Sequence, residues 1–176
     1  LDEAHHYAAE EWSSVLEHVA PYALVGFTAT PQRSDGRPLG DVFETMVDVV
    51  SHSELLARGH IVPCKVLRPE APLGVDLAQD ATEALLKYAP GSQAFVFVRS
   101  LQHARETLKR MERRGVRAAI VDKDTSDRDR REALDGMRAR KLDAIVNYFT
   151  MTEGIDVPSV STIVLARNCA HEGAYM

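Results

Sequence analysis

The sequence predicts an α/β fold built on parallel sheet. Three observations carry this reading: apolar runs of strand length, amphipathic stretches of helical period between them, and serine or glycine signals at the boundaries. Strand, helix, strand, helix, strand is the order that right-handed crossovers fold into a parallel sheet.

Each element has its own justification. Trp12, Val15, Leu16 and Val19 recur at helical spacing, and Pro21 ends that helix. Ala23 to Phe27 reads as a buried strand that leads into Thr28-Ala29-Thr30-Pro31 and a polar loop through Gly36. Ser51 and Glu54 have the spacing of a capping box ahead of Leu55 and Leu56, and Gly59 supplies a left-handed stop. Cys64 to Leu67 reads as a short strand, and Pro69, Pro72 and Gly74 mark 69–80 as a linker. Ala94 to Val98 is the next strand. Ser100 then caps a helix whose Leu101, Ala104, Leu108 and Met111 share one face, closed by Gly115. A strand over Val116 to Val121 follows, then a charged helix capped by Ser126 with Ala133, Leu134 and Met137 inward. Ala144 to Val146 and Thr162 to Leu165 are two further strands.

Composition bounds the function. The chain has 176 residues, 45% of them hydrophobic and 27% charged, enough to bury a core and too apolar for a disordered tail. It has no apolar run of about 18 residues and no basic n-region before an apolar h-region, so the expectation is a cytoplasmic protein with no membrane partner. Cys64 and Cys169 are too few for a disulfide framework or a metal knuckle. A net charge of −5 argues against a binder whose affinity is all phosphate attraction. Residues 99–141 nevertheless carry 14 basic and 8 acidic side chains, compatible with a nucleic-acid track or with a solvated helix face around Arg105, Lys109 and Arg113.

Function in a parallel α/β sheet collects at the carboxyl ends of the strands, and three clusters fall where such ends are expected. Asp2-Glu3-Ala4-His5 follows Leu1; adjacent carboxylates there divide labour, one on magnesium and the other on a water. Thr28-Ala29-Thr30-Pro31 places two hydroxyls around a small residue, a relay between neighbouring sites. Thr150 to Pro158 offers Gly154 for close backbone approach and Asp156 for a ribose hydroxyl or a charged partner. A zinc site on Asp2, His5 and His6 lacks a matching downstream ligand set, and Tyr175 stands where an HExxH string from His171 needs its second histidine.

Taken in order and spacing, these segments resemble the superfamily 2 helicases and translocases. Asp2-Glu3-Ala4-His5 is similar to the DEAH box, motif II. Gly26 to Pro31 is similar to motif III, Phe95 to Val98 with Ser100 and His103 to motif IV, and Thr152 to Pro158 to motif V. His6, Arg33-Ser34-Asp35-Gly36 and the TEGIDVP string resemble the DNA-directed subgroup of restriction translocases and excision-repair helicases.

The resemblance implies two RecA-like parallel-sheet lobes, both truncated: 1–68 as the later part of the first, 69–80 as the linker, and 81–176 as the second without its end. It implies ATP and Mg²⁺, with Asp2 holding the metal through its water shell and Glu3 activating the water that attacks the γ-phosphate. His5 would couple hydrolysis to movement, and Thr28 and Thr30 would link the ATP site to the nucleic-acid path. Gly154 and Asp156 would reach the nucleotide when the cleft closes. Thr150, Thr152 and Arg99 would touch strand phosphates without reading sequence, on DNA in preference to RNA. The alternatives are a restriction-type duplex translocase and a non-catalytic binding relic. No GxxxxGKS/T phosphate loop and no glutamine-and-arginine motif VI are in the sequence, and Asp122 to Thr125 replaces the small turn common in the family. The chain opens on Leu1 and stops at Met176 without a stop signal, so the expectation is a central piece of a longer motor, inactive by itself.

Overall fold

In a computed structural model, residues 1–8, 10–28, 39–67, 80–148, 150–151 and 155–167 are described. They divide into one unit within Leu1–Val66 and a second within Leu67–Asn168.

The first unit carries a 3-10 turn over Ala4–Ala8, helix α1 (Glu10–Val19), a second 3-10 turn over Leu39–Asp41 and helix α2 (His52–Ala57). α1 ends where Ala20 turns to a φ of 43° ahead of Pro21. The Ser51 half of the expected capping box forms, its hydroxyl accepting the Glu54 N–H at 3.2 Å, worth about 1 kcal/mol, while the Glu54 carboxylate pairs with Arg58. Gly59 adopts its left-handed stop at φ 73°.

Two strand expectations fail in this unit. Ala23 to Phe27 forms no ladder strand, and Val25 and Phe27 are 64% and 68% exposed instead of buried. Among the described residues its backbone bonds go to Leu1 and Ala4, and one bridge with a single further bond builds no ladder. Cys64 to Leu67 likewise pairs with nothing among the described residues, and Val66 is 71% exposed. The expected two sheets are therefore one sheet and one bridge among the described residues. The linker expectation over 69–80 falls outside them except for Asp80.

The second unit holds the sheet. It begins with α3 (Ala81–Tyr88), which the sequence reading did not anticipate because its N-cap, Asp80, closes the proline-rich stretch. The Asp80 carboxylate accepts the Thr82 and Glu83 N–H groups at 3.0 and 3.3 Å. β1 (Gln93–Val98), α4 (Leu101–Arg113), β2 (Ala118–Val121), α5 (Asp127–Arg138), β3 (Ala144–Asn147) and β4 (Val160–Ala166) follow. All strand pairs are parallel, in the order β2-β3-β1-β4. Val96 stands opposite Val146 on one side and Val164 on the other.

The two crossovers run in opposite directions along the sheet, so right-handed connections place α4 and α5 on opposite faces. The period of two along each strand sorts the core accordingly. Val96, Val98, Ala144 and Val146 pack with Leu85 of α3 and with Ala104 and Met111 of α4. Val121 and Ile145 face the other way and pack with Ala133 and Met137 of α5. Each fully buried aliphatic side chain contributes about 1.5–3 kcal/mol. Ser100 and Ser126 cap α4 and α5, accepting the N–H groups of His103 and Asp129, both at 3.1 Å. These local signals match the sequence reading.

At the amino edge of the sheet Arg117 and Asp143 enter β2 and β3 together. Arg117 Nε and Nη2 donate to the two Asp143 carboxylate oxygens at 2.9 and 2.6 Å, and the Arg117 N–H donates to the first of them at 2.9 Å. The Arg117 side-chain hydrogen bond holds the Asp143 carboxyl below its usual pKa, against partial burial that opposes it. A carboxyl so depressed contributes stability that is present above its unfolded value, about 3.9, and lost as pH falls through the folded one. Asp143→Asn is therefore expected to lower stability at pH 7, with the gap to wild type closing below about pH 4. Denaturant midpoints across pH 3–7 check this; a constant gap would exclude the carboxylate.

Candidate active site

The Leu1 nitrogen donates to the Val25 carbonyl at 2.6 Å, and the Leu1 carbonyl accepts the Phe27 N–H at 2.9 Å. That is the bonding of a parallel bridge centred on Gly26. Leaving the bridge, the chain exposes Asp2 and Glu3 and then returns, with the Ala4 N–H donating to the Phe27 carbonyl at 2.9 Å. Glu3 makes the return at φ 46°, a left-handed conformation that costs a non-glycine residue about 1 kcal/mol or more.

Packing explains why the return is tight. Ala4 is 2% exposed and lies on Gly26. A Cβ at position 26 would stand 2.7 Å from Ala4 Cβ and 2.5 Å from Phe43 Cζ. Gly26→Ala is expected to destabilise by about 1–3 kcal/mol, measured by chemical denaturation. An unchanged midpoint would remove the steric argument.

His5 joins the first two clusters. Its Nδ1 lies 2.9 Å from the Thr28 hydroxyl and 3.4 Å from the Glu3 carboxylate, with the imidazole largely buried beside an exposed carboxylate. The His6 ring stacks at a tilt on His5, centroids 4.2 Å apart. Asp2 Oδ1 accepts the Glu3 N–H at 3.0 Å, which leaves the carboxylate open to solvent. Among the described residues no three histidine, cysteine or acidic side chains group as metal ligands. One open carboxylate fits a magnesium ion that keeps most of its waters.

In the second unit the parallel strands bring their carboxyl ends to one edge. Asn147, wholly buried at the end of β3, accepts the Thr150 N–H and hydroxyl, both at 3.1 Å. The hydroxyl also lies 3.4 Å from the Val121 carbonyl, so its one proton serves the turn after β3. Met151 and Val157 are buried against Ala133 and Met137, and Asp156 is exposed beside Val157. Asp122 and Thr125 close the turn after β2 on each other: the Thr125 hydroxyl donates to Asp122 Oδ1 and accepts the Asp122 N–H, both at 2.9 Å.

Arg99 is exposed directly after β1. Burial lowers the His103 imidazole pKa, and the Arg99 and Arg110 charges reinforce the shift against Glu106 and Asp80. The sequence reading overlooked Asn147 and Arg167. Because Val98 pairs with Ala166, Arg167 leaves β4 next to Arg99, its guanidinium 5.8 Å from the Phe97 ring centroid. A charge straight after an apolar strand was the available signal at Arg167.

The structure thus brings Asp2, Glu3, His5 and Thr28 together in the first unit, and sets Arg99 and Thr150 at the carboxyl edge of the second, with Asp156 on the loop leaving β3. Thr30, Thr152 and Gly154 lie outside the described residues.

Comparison with known proteins bears on both units. Residues 78–175 match the family "Helicase conserved C-terminal domain", and residues 1–33 match "Type III restriction enzyme, res subunit". A 51.5 kDa protein of a Lactococcus phage is 23% identical over 94% of this chain and 41% of its own length. The putative mitochondrial ATP-dependent helicase irc3 of Schizosaccharomyces pombe is 24% identical over 93% of this chain and 32% of its own. The chain therefore spans less than half the length of these relatives. Among solved structures, S. cerevisiae Dbp5 bound to RNA and ADP BeF3 aligns with a TM-score of 0.57 at 17% identity, covering 99% of this chain and 47% of that one, a likeness of fold.

Proposed function

The chain belongs to the helicase conserved C-terminal domain family, within superfamily 2, and from that membership we propose that it works in a motor that couples MgATP hydrolysis to movement along DNA. The observation that carries the proposal is the 2.9 Å contact of His5 Nδ1 with the Thr28 hydroxyl, beside the open carboxylates of Asp2 and Glu3. A hydrolytic carboxylate is there one side chain away from a relay residue, the linkage a motor needs between its chemistry and its track.

In this reading Asp2 holds magnesium through water. Bound there, the ion would supply charge neutralisation at the phosphoryl group. Glu3 orients and deprotonates the attacking water, and Thr28 and Thr30 pass the change on. Gly154 and Asp156 contact the nucleotide from the second lobe, over 81–176. Arg99 and Thr152 meet strand phosphates, and Thr150 keeps its proton for the turn after β3. Backbone contacts of this kind are independent of base sequence.

DNA in preference to RNA is supported by the likeness of residues 1–33 to a restriction-enzyme subunit. The test is phosphate release by the complete protein with MgATP and single-stranded DNA, duplex DNA or RNA. Stimulation by DNA above RNA is expected. Equal rates with and without any nucleic acid would overturn the motor and favour a binding module. The 176-residue chain by itself, which carries no GxxxxGKS/T loop, is expected to release none.

A further inference from the structure

We propose that Arg138, which belongs to none of the helicase-like segments, is a positioning residue that sets the presentation of Asp156. Arg138 is the last residue of α5, and its Nη2 donates to the Asp156 backbone carbonyl at 2.9 Å while Nη1 donates to Asp135 at 3.0 Å. The guanidinium is a rigid fork. With one arm on its own helix and the other on the loop, it fixes the distance between them.

The helix end it acts from is itself immobilised. Gln93, 4% exposed at the start of β1, donates through Nε2 to the carbonyls of Met137 and Leu142, at 2.8 and 2.6 Å. Arg138 follows Met137 directly, so the frame runs from the first residue of β1 through the end of α5 to the loop. On the inner side, Val157 and Met151 bury against Met137 and Ala133. Asp156 lies between an apolar anchor and a charged hydrogen bond to its carbonyl, and its exposed carboxylate is thereby aimed.

This inference rests on the reading of Asp156 as a nucleotide contact. The complete protein carrying Arg138→Ala is expected to show KM for ATP raised about fivefold, the scale of one hydrogen bond with a charged partner at a partly exposed site, and kcat within about twofold of wild type. Arg138→Lys, which retains one donor, is expected to recover part of the loss. In an Asp156→Ala background, Arg138→Ala is expected to add nothing to KM, because the group it positions is gone. A further multiplicative loss there, with a matching fall in Tm, would reduce Arg138 to general stability and overturn the proposal. So would an unchanged KM in Arg138→Ala while Asp156→Ala raises it. An unchanged KM in Asp156→Ala would overturn the nucleotide reading of that residue and this inference with it, a signature distinct from the other two.

Discussion

Glu3→Gln in the complete protein is expected to cut ATP turnover by about a hundredfold to ten-thousandfold while nucleotide binding persists. The substitution keeps the size and the hydrogen-bonding oxygen of the side chain and removes its capacity to take a proton. Phosphoryl transfer depends on positioning and electrostatics, so loss of the carboxylate proposed to ready the water would act on kcat. Glu3 is held by a left-handed backbone at φ 46° and by the return bond from Ala4 to Phe27. Its carboxylate faces His5, which contacts Thr28, so the variant is also expected to uncouple hydrolysis from movement. Steady-state phosphate release and fluorescent-nucleotide binding measure the two effects separately. Unchanged turnover would remove Glu3 from the reaction. Loss of binding along with turnover would recast it as a ligand for the nucleotide.

Ile145→Ala is expected to cost about 3–4 kcal/mol of stability, read as a lower denaturant midpoint at constant slope. Ile145 is wholly buried at the centre of β3 and packs with Val121, Met137 and Val157. The fair comparison is Ile163. Both isoleucines flank Phe95 in register, Ile145 from β3 and Ile163 from β4. Yet Ile163 is 64% exposed. Ile163→Ala is therefore expected to cost no more than about 0.5 kcal/mol, as surface substitutions do. Equal costs at the two positions would mean that the face of β4 is covered in solution.

Much of both units was legible where the signals are local. Ser51, Ser100 and Ser126 cap helices through bonds to N–H groups three residues on, and that chemistry needs no distant partner. Gly59 and Gly115 are the same kind of signal, both at positive φ. The parallel strands were legible because a run such as Ala94 to Val98 is apolar throughout. α3 was missed for the converse reason, its capping Asp80 being absorbed into a stretch read for its prolines. In the first unit, Ala23 to Phe27 has the composition of a buried strand. Burial is a property of neighbours, and its described backbone bonds reach no further than Leu1 and Ala4.

The sequence by itself determined the order of elements, their caps and the identity of the chemical groups at 2–5, 28–30 and 150–158. Those depend on residue type and short spacing, which the chain carries wherever it folds. Only the tertiary structure decided which groups meet. It brought His5 to Thr28 across 23 positions, put Gly26 against Ala4 and Phe43, gave the Thr150 proton to the turn, and set Arg138 on the Asp156 carbonyl. Hydrogen bonds and close packing act over about 3–4 Å in space, and sequence distance does not measure that. The two isoleucines beside Phe95 make the same point: one residue type, one face of one sheet, and opposite burial fixed by what lies on top.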